Sequence, residues 1–200
     1  MDTTDGLSEA ETRWHGTRVE LMAGDITRVS VDAVVNAANS ALAGGGGVDG
    51  AIHAAAGSGV MAELCERYDG CPTGSAVITG GGELPARWII HAVGPIWQGG
   101  GHDEATLLGS AYASALDRAD EAGAHSVAFP AISCGVYAYP LDAAADVALS
   151  SVRAWLSTHP ASPVEDIIFV LRGTTVMAAF RGALQRQPSH DLPPAQRETW

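Results

Sequence analysis

The 200-residue chain contains no lysine; all eleven of its basic residues are arginine. This excludes a Walker A phosphate loop, a Schiff-base mechanism and any lysine nucleophile. Acidic residues number 23, which sets the formal net charge at −12. A chain so acidic lacks the clustered cations that neutralise a phosphate backbone, so nucleic acid is not an expected partner. Cysteine is scarce: Cys65, Cys71 and Cys134 form no even disulfide framework, and the first two lack C-x2-C spacing. Reduced thiols and no structural metal are expected, and no H-E-x-x-H pair assigns any of the seven histidines to a metal. No apolar run reaches membrane-spanning length, and MDTTDGLSEAE carries no signal-peptide core, so a cytoplasmic protein without a membrane partner is expected.

Against these absences stands one rich stretch, VDAVVNAANSALAGGGGVDGAIHAAAG at 31–57. A short buried strand runs into two asparagines, four consecutive glycines and an aspartate at a helix start. Glycines let backbone N–H groups approach an anion, and a helix start adds unpaired donors and the positive end of a dipole. The expected ligand is therefore a phosphate. Asp49 is the exception within this loop. A carboxylate beside phosphate is repelled by it, and its retention points to chemistry rather than grip. The alternative, an acidic residue favoured by the helix dipole, is the default for a lone Asp. With no lysine, ligand binding should rest on backbone dipoles and depend only mildly on salt.

Short runs rich in Val, Ile and Phe predict strands at 18–22, 33–36, 75–79, 88–93, 126–130 and 166–171. Helical spacing predicts helices at 48–56, 60–67, 104–122, 141–156 and 174–186. This alternation implies an α/β fold, a three-layer α/β/α sandwich with a central mixed sheet of about six strands. One domain over 13–186 is expected, between a flexible segment at 1–12 and a flexible, proline-rich tail at 187–200. Three glycine-bearing or polar segments follow strands, at 24–27, 36–49 and 132–137. In open α/β sheets such segments converge on a ligand crevice.

GDIT at 24–27, NAAN at 36–39, GGGGVDGAIHAAAG at 44–57 and FPAISCGVYAYP at 129–140, with CPTGSA at 71–76 and IIHAVGP at 89–95, resemble a MacroD-type macrodomain over roughly residues 15–185. The resemblance implies ADP-ribose as ligand. It also implies hydrolysis of ADP-ribosyl esters, both O-acetyl-ADP-ribose and mono-ADP-ribosylated acidic side chains of proteins, with no cofactor and as a monomer.

By the same resemblance, Asp25 accepts from the adenine amine beside the Ile26 N–H. Diphosphate lies between Gly46, Gly47 and Val48 on one side and Ser133, Cys134, Gly135, Val136 and Tyr137 on the other. Asn39 orients the distal ribose, and Asp49 activates or orients water. From the residues alone, Asp25 is also a common turn former, Asn39 a common cap, Asn36 a loop tie and His53 a packing residue.

Three positions depart from the family pattern: Cys134 where threonine is common, Tyr137 where phenylalanine is frequent, and Ala54 where arginine is frequent. The first replaces a hydroxyl with a weaker thiol donor. Two other functions compete. Gly45-x-Gly47-x-x-Gly50 matches a dinucleotide fingerprint, but it lies eight residues beyond the strand and no acidic residue ends the next one. A non-catalytic ADP-ribose reader would share the binding residues yet have no need of Asp49.

Overall fold

The computed structural model describes residues 7–188 and holds a seven-stranded sheet and five α-helices. In chain order these are β1 Leu7–Trp14, β2 Thr17–Ala23, β3 Val31–Ala37, α1 Gly47–Ala56, α2 Ser58–Cys65, β4 Ala76–Gly80, β5 Ala86–Ala92, α3 Glu104–Glu121, β6 Ser126–Phe129, α4 Leu141–Thr158, β7 Asp166–Leu171 and α5 Thr174–Arg186. The sheet order is β1-β2-β7-β6-β3-β5-β4. Its five central strands run parallel, and an antiparallel strand closes each edge.

Both faces of the sheet are covered, which explains why the central strands read as near-continuous apolar runs. On one face Val35, Ile90, Phe129 and Phe169 pack against α3, α4 and α5 through Leu108, Tyr112, Leu149 and Phe180. Rings of Tyr112, Phe129, Phe169 and Phe180 meet there with centroids 5.4–6.1 Å apart, Phe129 stacked on Phe169 and the other pairs tilted. On the other face Val34, Ile89 and Ile168 meet Ile52 and Ala56 of α1 and Met61 of α2. No helix among the described residues is long and apolar enough to cross a membrane.

The strand count is seven rather than about six, because β1 carries no apolar run. Its sequence, LSEAETRW, alternates polar and half-buried residues and pairs with β2 alone, through a register shift between Ser8 and Ala10. Edge strands bury one side only. Of the flexible segment expected at 1–12, residues 7–12 instead belong to this strand, with Trp14 at its end buried, and residues 1–6 lie outside the described residues. Of the proline-rich tail, residues 189–200 lie outside the described residues.

The parallel core decides where a ligand can sit. Since β2, β3 and β6 point the same way, the segments that follow them emerge along one sheet edge.

Candidate functional site

Two adjoining cavities open at that edge. The first, about 220 Å³, is lined by Asn39, Gly45, Gly46, Gly47, Val48, Asp49, Ser133, Gly135, Val136 and Tyr137, among others. The second, about 270 Å³, includes Asp25, Ile26, Cys134 and Arg172, and shares Gly47, Val48, Ala131 and Gly135 with the first. All the site residues expected from sequence therefore line one cavity or both. Cys134 falls in the second, beside Asp25, and not in the first.

Asp25 opens a single 3-10 turn, Ile26–Arg28. Its Oδ1 accepts from the Thr27 hydroxyl at 2.7 Å and the Thr27 N–H at 3.0 Å, and the hydroxyl bond is the main cause holding its carboxyl below the usual range. Among the described residues, Oδ2 has Arg28 Nε 3.9 Å away. It is left to accept from a ligand.

α1 begins at Gly47 with Gly46 as cap and no side-chain capping bond, so its first N–H groups face the cavity free of side-chain acceptors. Asp49 lies in this first turn and is buried. Its Oδ1 accepts from Asn36 Nδ2 at 2.7 Å, and His53 Nε2 lies 3.3 Å from the same oxygen. Oδ2 faces Gly45, where a Cβ would stand 3.1 Å from it; a side chain at 45 would crowd the one carboxylate oxygen left for a ligand or water. His53, four residues on along the helix, also lines an open cleft of about 960 Å³ behind the glycine loop, with Ser40, Glu66 and Asp69.

Asn39 ties the loop itself: its Nδ2 donates to the Gly44 carbonyl at 2.8 Å, and its Oδ1 accepts from Ala43 N at 3.3 Å. The tying role therefore belongs to Asn39, while Asn36 holds Asp49. His53 is more than a packing residue, since its ring nitrogen reaches the carboxylate.

The opposite wall is built differently. Tyr112, fully buried, accepts from Ile132 N at 3.1 Å and donates to the Pro130 carbonyl at 3.3 Å. Trp97 N donates to the Tyr137 carbonyl at 2.9 Å, and the Trp97 ring meets Tyr139 at 4.6 Å. The segment carrying Trp97 is gathered around Glu104, whose buried carboxylate accepts from the backbone N–H groups of Gln98, Gly100 and His102. Desolvation pushes that carboxyl up, but these bonds outweigh it and hold it at about 2.

Ser133 takes a left-handed conformation, φ 65°, and its buried Oγ has no partner. A Cβ at Gly94 would stand 2.3 Å from that oxygen, so glycine is required there. Burial raises the Cys134 thiol to about 11, and its Sγ donates to the Ile132 carbonyl at 3.5 Å. A thiol held protonated is a poor nucleophile.

Sequence reasoning missed the floor beneath Asp49. His91 and Asn36 stand directly opposite each other on β5 and β3, both fully buried, with Asn36 Nδ2 3.2 Å from His91 Nδ1. Thr79 Oγ1 lies 2.9 Å from His91 Nε2, and Cys65 Sγ 3.9 Å from it. His53, Cys65 and His91 bring three ligand-type atoms within 4.8 Å of one another, a spacing that suits a metal. The hydrogen bonds oppose that use. Because Asn36 donates to Nδ1, the ring proton sits on Nε2, and that nitrogen has no lone pair for an ion.

A glycine-lined, helix-tipped cleft with one buried carboxylate stands at the carboxyl edge of a parallel sheet, the place where open α/β domains take their ligands. Comparison with known proteins gives the family. The Macro domain model matches residues 35–148. An O-acetyl-ADP-ribose deacetylase of Citrobacter rodentium is 50% identical over 175 residues, 86% of this chain and 97% of that protein. Among solved structures, the Oceanobacillus iheyensis macrodomain with ADP superposes with a TM-score of 0.83 at 35% identity, covering 91% of this chain and 97% of its own. The Trypanosoma brucei macrodomain in complex with ADP-ribose gives 0.76 at 36% identity, covering 83% and 68%. The chain belongs to the Macro domain family.

Proposed function

We propose that this protein binds ADP-ribose and hydrolyses its esters, deacetylating O-acetyl-ADP-ribose and releasing ADP-ribose from acidic side chains of mono-ADP-ribosylated proteins. The single observation that carries the reading is Asp49: a buried carboxylate at a phosphate-binding helix start, with Oδ1 held by Asn36 and His53 and Oδ2 turned to the glycine loop. A protein that only gripped diphosphate would gain nothing from a negative charge there. The relatives named O-acetyl-ADP-ribose deacetylase and the ADP-ribose bound by the Trypanosoma brucei domain support it.

In this reading the adenine amine donates to Asp25 Oδ2 in the second cavity. Diphosphate oxygens accept from N–H groups of Gly46 to Val48 and of Ser133 to Tyr137, a set of fixed dipoles that needs no lysine. The distal ribose lies by Asn39 and Tyr137. Asp49 Oδ2 takes a proton from water as the water oxygen bonds to the carbon of the ester link. The ester C–O bond breaks, and the departing oxygen takes up a proton. His53, open to the cleft behind the loop, connects Asp49 to solvent.

The test is incubation with O-acetyl-ADP-ribose and with a glutamate-linked ADP-ribosylated protein in heavy-oxygen water. Release of ADP-ribose from both is expected, and the side carrying the label tells attack at the ribose carbon from attack at the acyl carbon. A protein that binds ADP-ribose and turns over neither ester overturns the reading and leaves a non-catalytic reader.

A further inference from the structure

Asn36 has two amide hydrogens, and the structure directs one at Asp49 Oδ1 and the other at His91 Nδ1. Its Oδ1 is buried with no partner. Turning the amide over would not repair this, because Oδ1 would then face Asp49 Oδ1 at the 2.7 Å now occupied by a hydrogen bond. Two acceptors, Asp49 Oδ1 and the lone pair of His91 Nδ1, together hold the amide in this orientation. If that nitrogen carried a proton, the imidazole would repel the amide N–H and reward the turned amide, which presents an acceptor to Asp49 instead of a donor.

We propose that His91 is a positioning residue for Asp49, acting through Asn36, with its ring proton kept on Nε2 by Thr79. The inference rests on the hydrolase reading above. Proton positions follow along the chain of bonds: Nε2–H donates to Thr79 Oγ1, whose own hydrogen points to the Gly80 carbonyl at 3.3 Å. The groups facing His91 are Asn36 from β3, Thr79 from β4, His53 from α1 and Cys65 from α2, with Asp49 one bond beyond Asn36. Asn36, Thr79 and Cys65 carry no positive charge that could take the place of the amide donor, and the His53 ring meets His91 edge-on at 6.0 Å. Burial holds His91 down at about 4, with His53 adding to the effect, so the ring stays neutral at physiological pH.

For Asp49 the consequence is a fixed charge in a fixed place. Oδ1 is occupied from beneath, and Oδ2 alone remains for water. Loss of the His91 lone pair removes one of the two acceptors that hold the amide, loosens the donor on the carboxylate and so disfavours its ionised form. The acidic limb of the rate profile then moves to higher pH.

The experiment uses the full chain, as wild type, His91→Phe, Thr79→Val and Thr79→Ser. Long-range proton–nitrogen NMR of the wild-type imidazole should show the proton on Nε2 and an unprotonated Nδ1, unchanged from neutral pH down to about 5. For His91→Phe, kcat on O-acetyl-ADP-ribose should fall about 10-fold to 100-fold, the range for removing the outer partner of a functional group. ADP-ribose affinity should stay within about twofold, and the acidic limb should rise in pH. Thr79→Val should shift the limb the same way, and Thr79→Ser, which keeps the hydroxyl, should retain more of the rate. A protonated Nδ1 in the wild type, or an unmoved profile in a folded His91→Phe or Thr79→Val, overturns the proposal. Absence of any wild-type turnover would instead refute the hydrolase reading, and the NMR result would still decide the proton position.

Discussion

The two walls of the cleft are held by different physics. Behind the glycine loop lies a chain of directional hydrogen bonds, Thr79 to His91 to Asn36 to Asp49, in a pocket closed by α1 and α2. Behind the loop at 131–139 lie aromatic rings, Tyr112 against Phe129 and Trp97 against Tyr139, with single hydroxyl and amide bonds to the backbone. The first arrangement fixes a charge and a proton. The second fixes only a shape, which is enough to hold a row of N–H groups around diphosphate. In the proposed reading diphosphate is gripped from both walls while the chemistry belongs to the glycine-loop wall alone, so rate and affinity should separate under mutation there.

The largest effect should come from the chemical wall. Asp49→Ala is expected to slow ADP-ribosyl-ester hydrolysis by about 10²–10⁴-fold, the span for losing a general acid–base group. ADP-ribose affinity, measured by calorimetry, should be unchanged or higher, because a negative charge near the diphosphate is gone. Equal losses in rate and affinity would merge the two walls into one.

The next concerns acid stability. His91 has its folded pKa lowered to about 4 from 6.5, so the unfolded chain binds its proton first. Stability from this group is complete above the unfolded value and is lost as pH falls toward 4, by roughly 3 kcal/mol at full protonation. Glu104, depressed to about 2, adds a second loss below its ordinary 4.5, on the side of the aromatic wall. Thermal unfolding against pH should show the upper window vanish in His91→Phe and the lower one shrink in Glu104→Gln. A wild-type melting temperature flat from neutral pH to about 4 contradicts the first assignment.

Grip is probed at Asp25. Its Ala variant should weaken ADP-ribose binding by about 1.5–3 kcal/mol, the worth of a hydrogen bond to a charged group, and raise KM with little change in kcat. An unaltered dissociation constant would remove Asp25 from the adenine end. A smaller effect is expected for Tyr112→Phe, which strands the Ile132 N–H behind the aromatic wall. It should cost about 1–3 kcal/mol of stability with no shift in the pH profile of kcat. A moved profile would mean that this wall also sets the charge on Asp49.

Much of this arrangement was legible in the sequence, and the reasons are local. Glycines at 44–47 and the aspartates at 25 and 49 announce themselves by residue type and spacing within single loops. The parallel strands announce themselves as apolar runs, and eleven of the twelve α and β elements fit expectations to within two residues at each end, whereas β1 hides in polar alternation. His91 stays hidden because it sits in the run WIIHA, which reads as a buried strand, while its partner Asn36 lies 55 residues away. Only sheet register brings them opposite. For His53 a signal exists: Asp49 and His53 are four residues apart on one helix, a spacing that places both on one face.

The most direct test is a single-turnover comparison of wild type and Asp49→Asn on one glutamate-linked ADP-ribosylated protein, with enzyme in excess, so that neither affinity nor product release enters the rate. The substitution keeps the side chain's shape and removes its charge. A drop of at least about 10²-fold in the single-turnover rate, with calorimetric ADP-ribose affinity retained, is the predicted result. Equal rates for the two proteins would contradict the placement of the chemistry at Asp49.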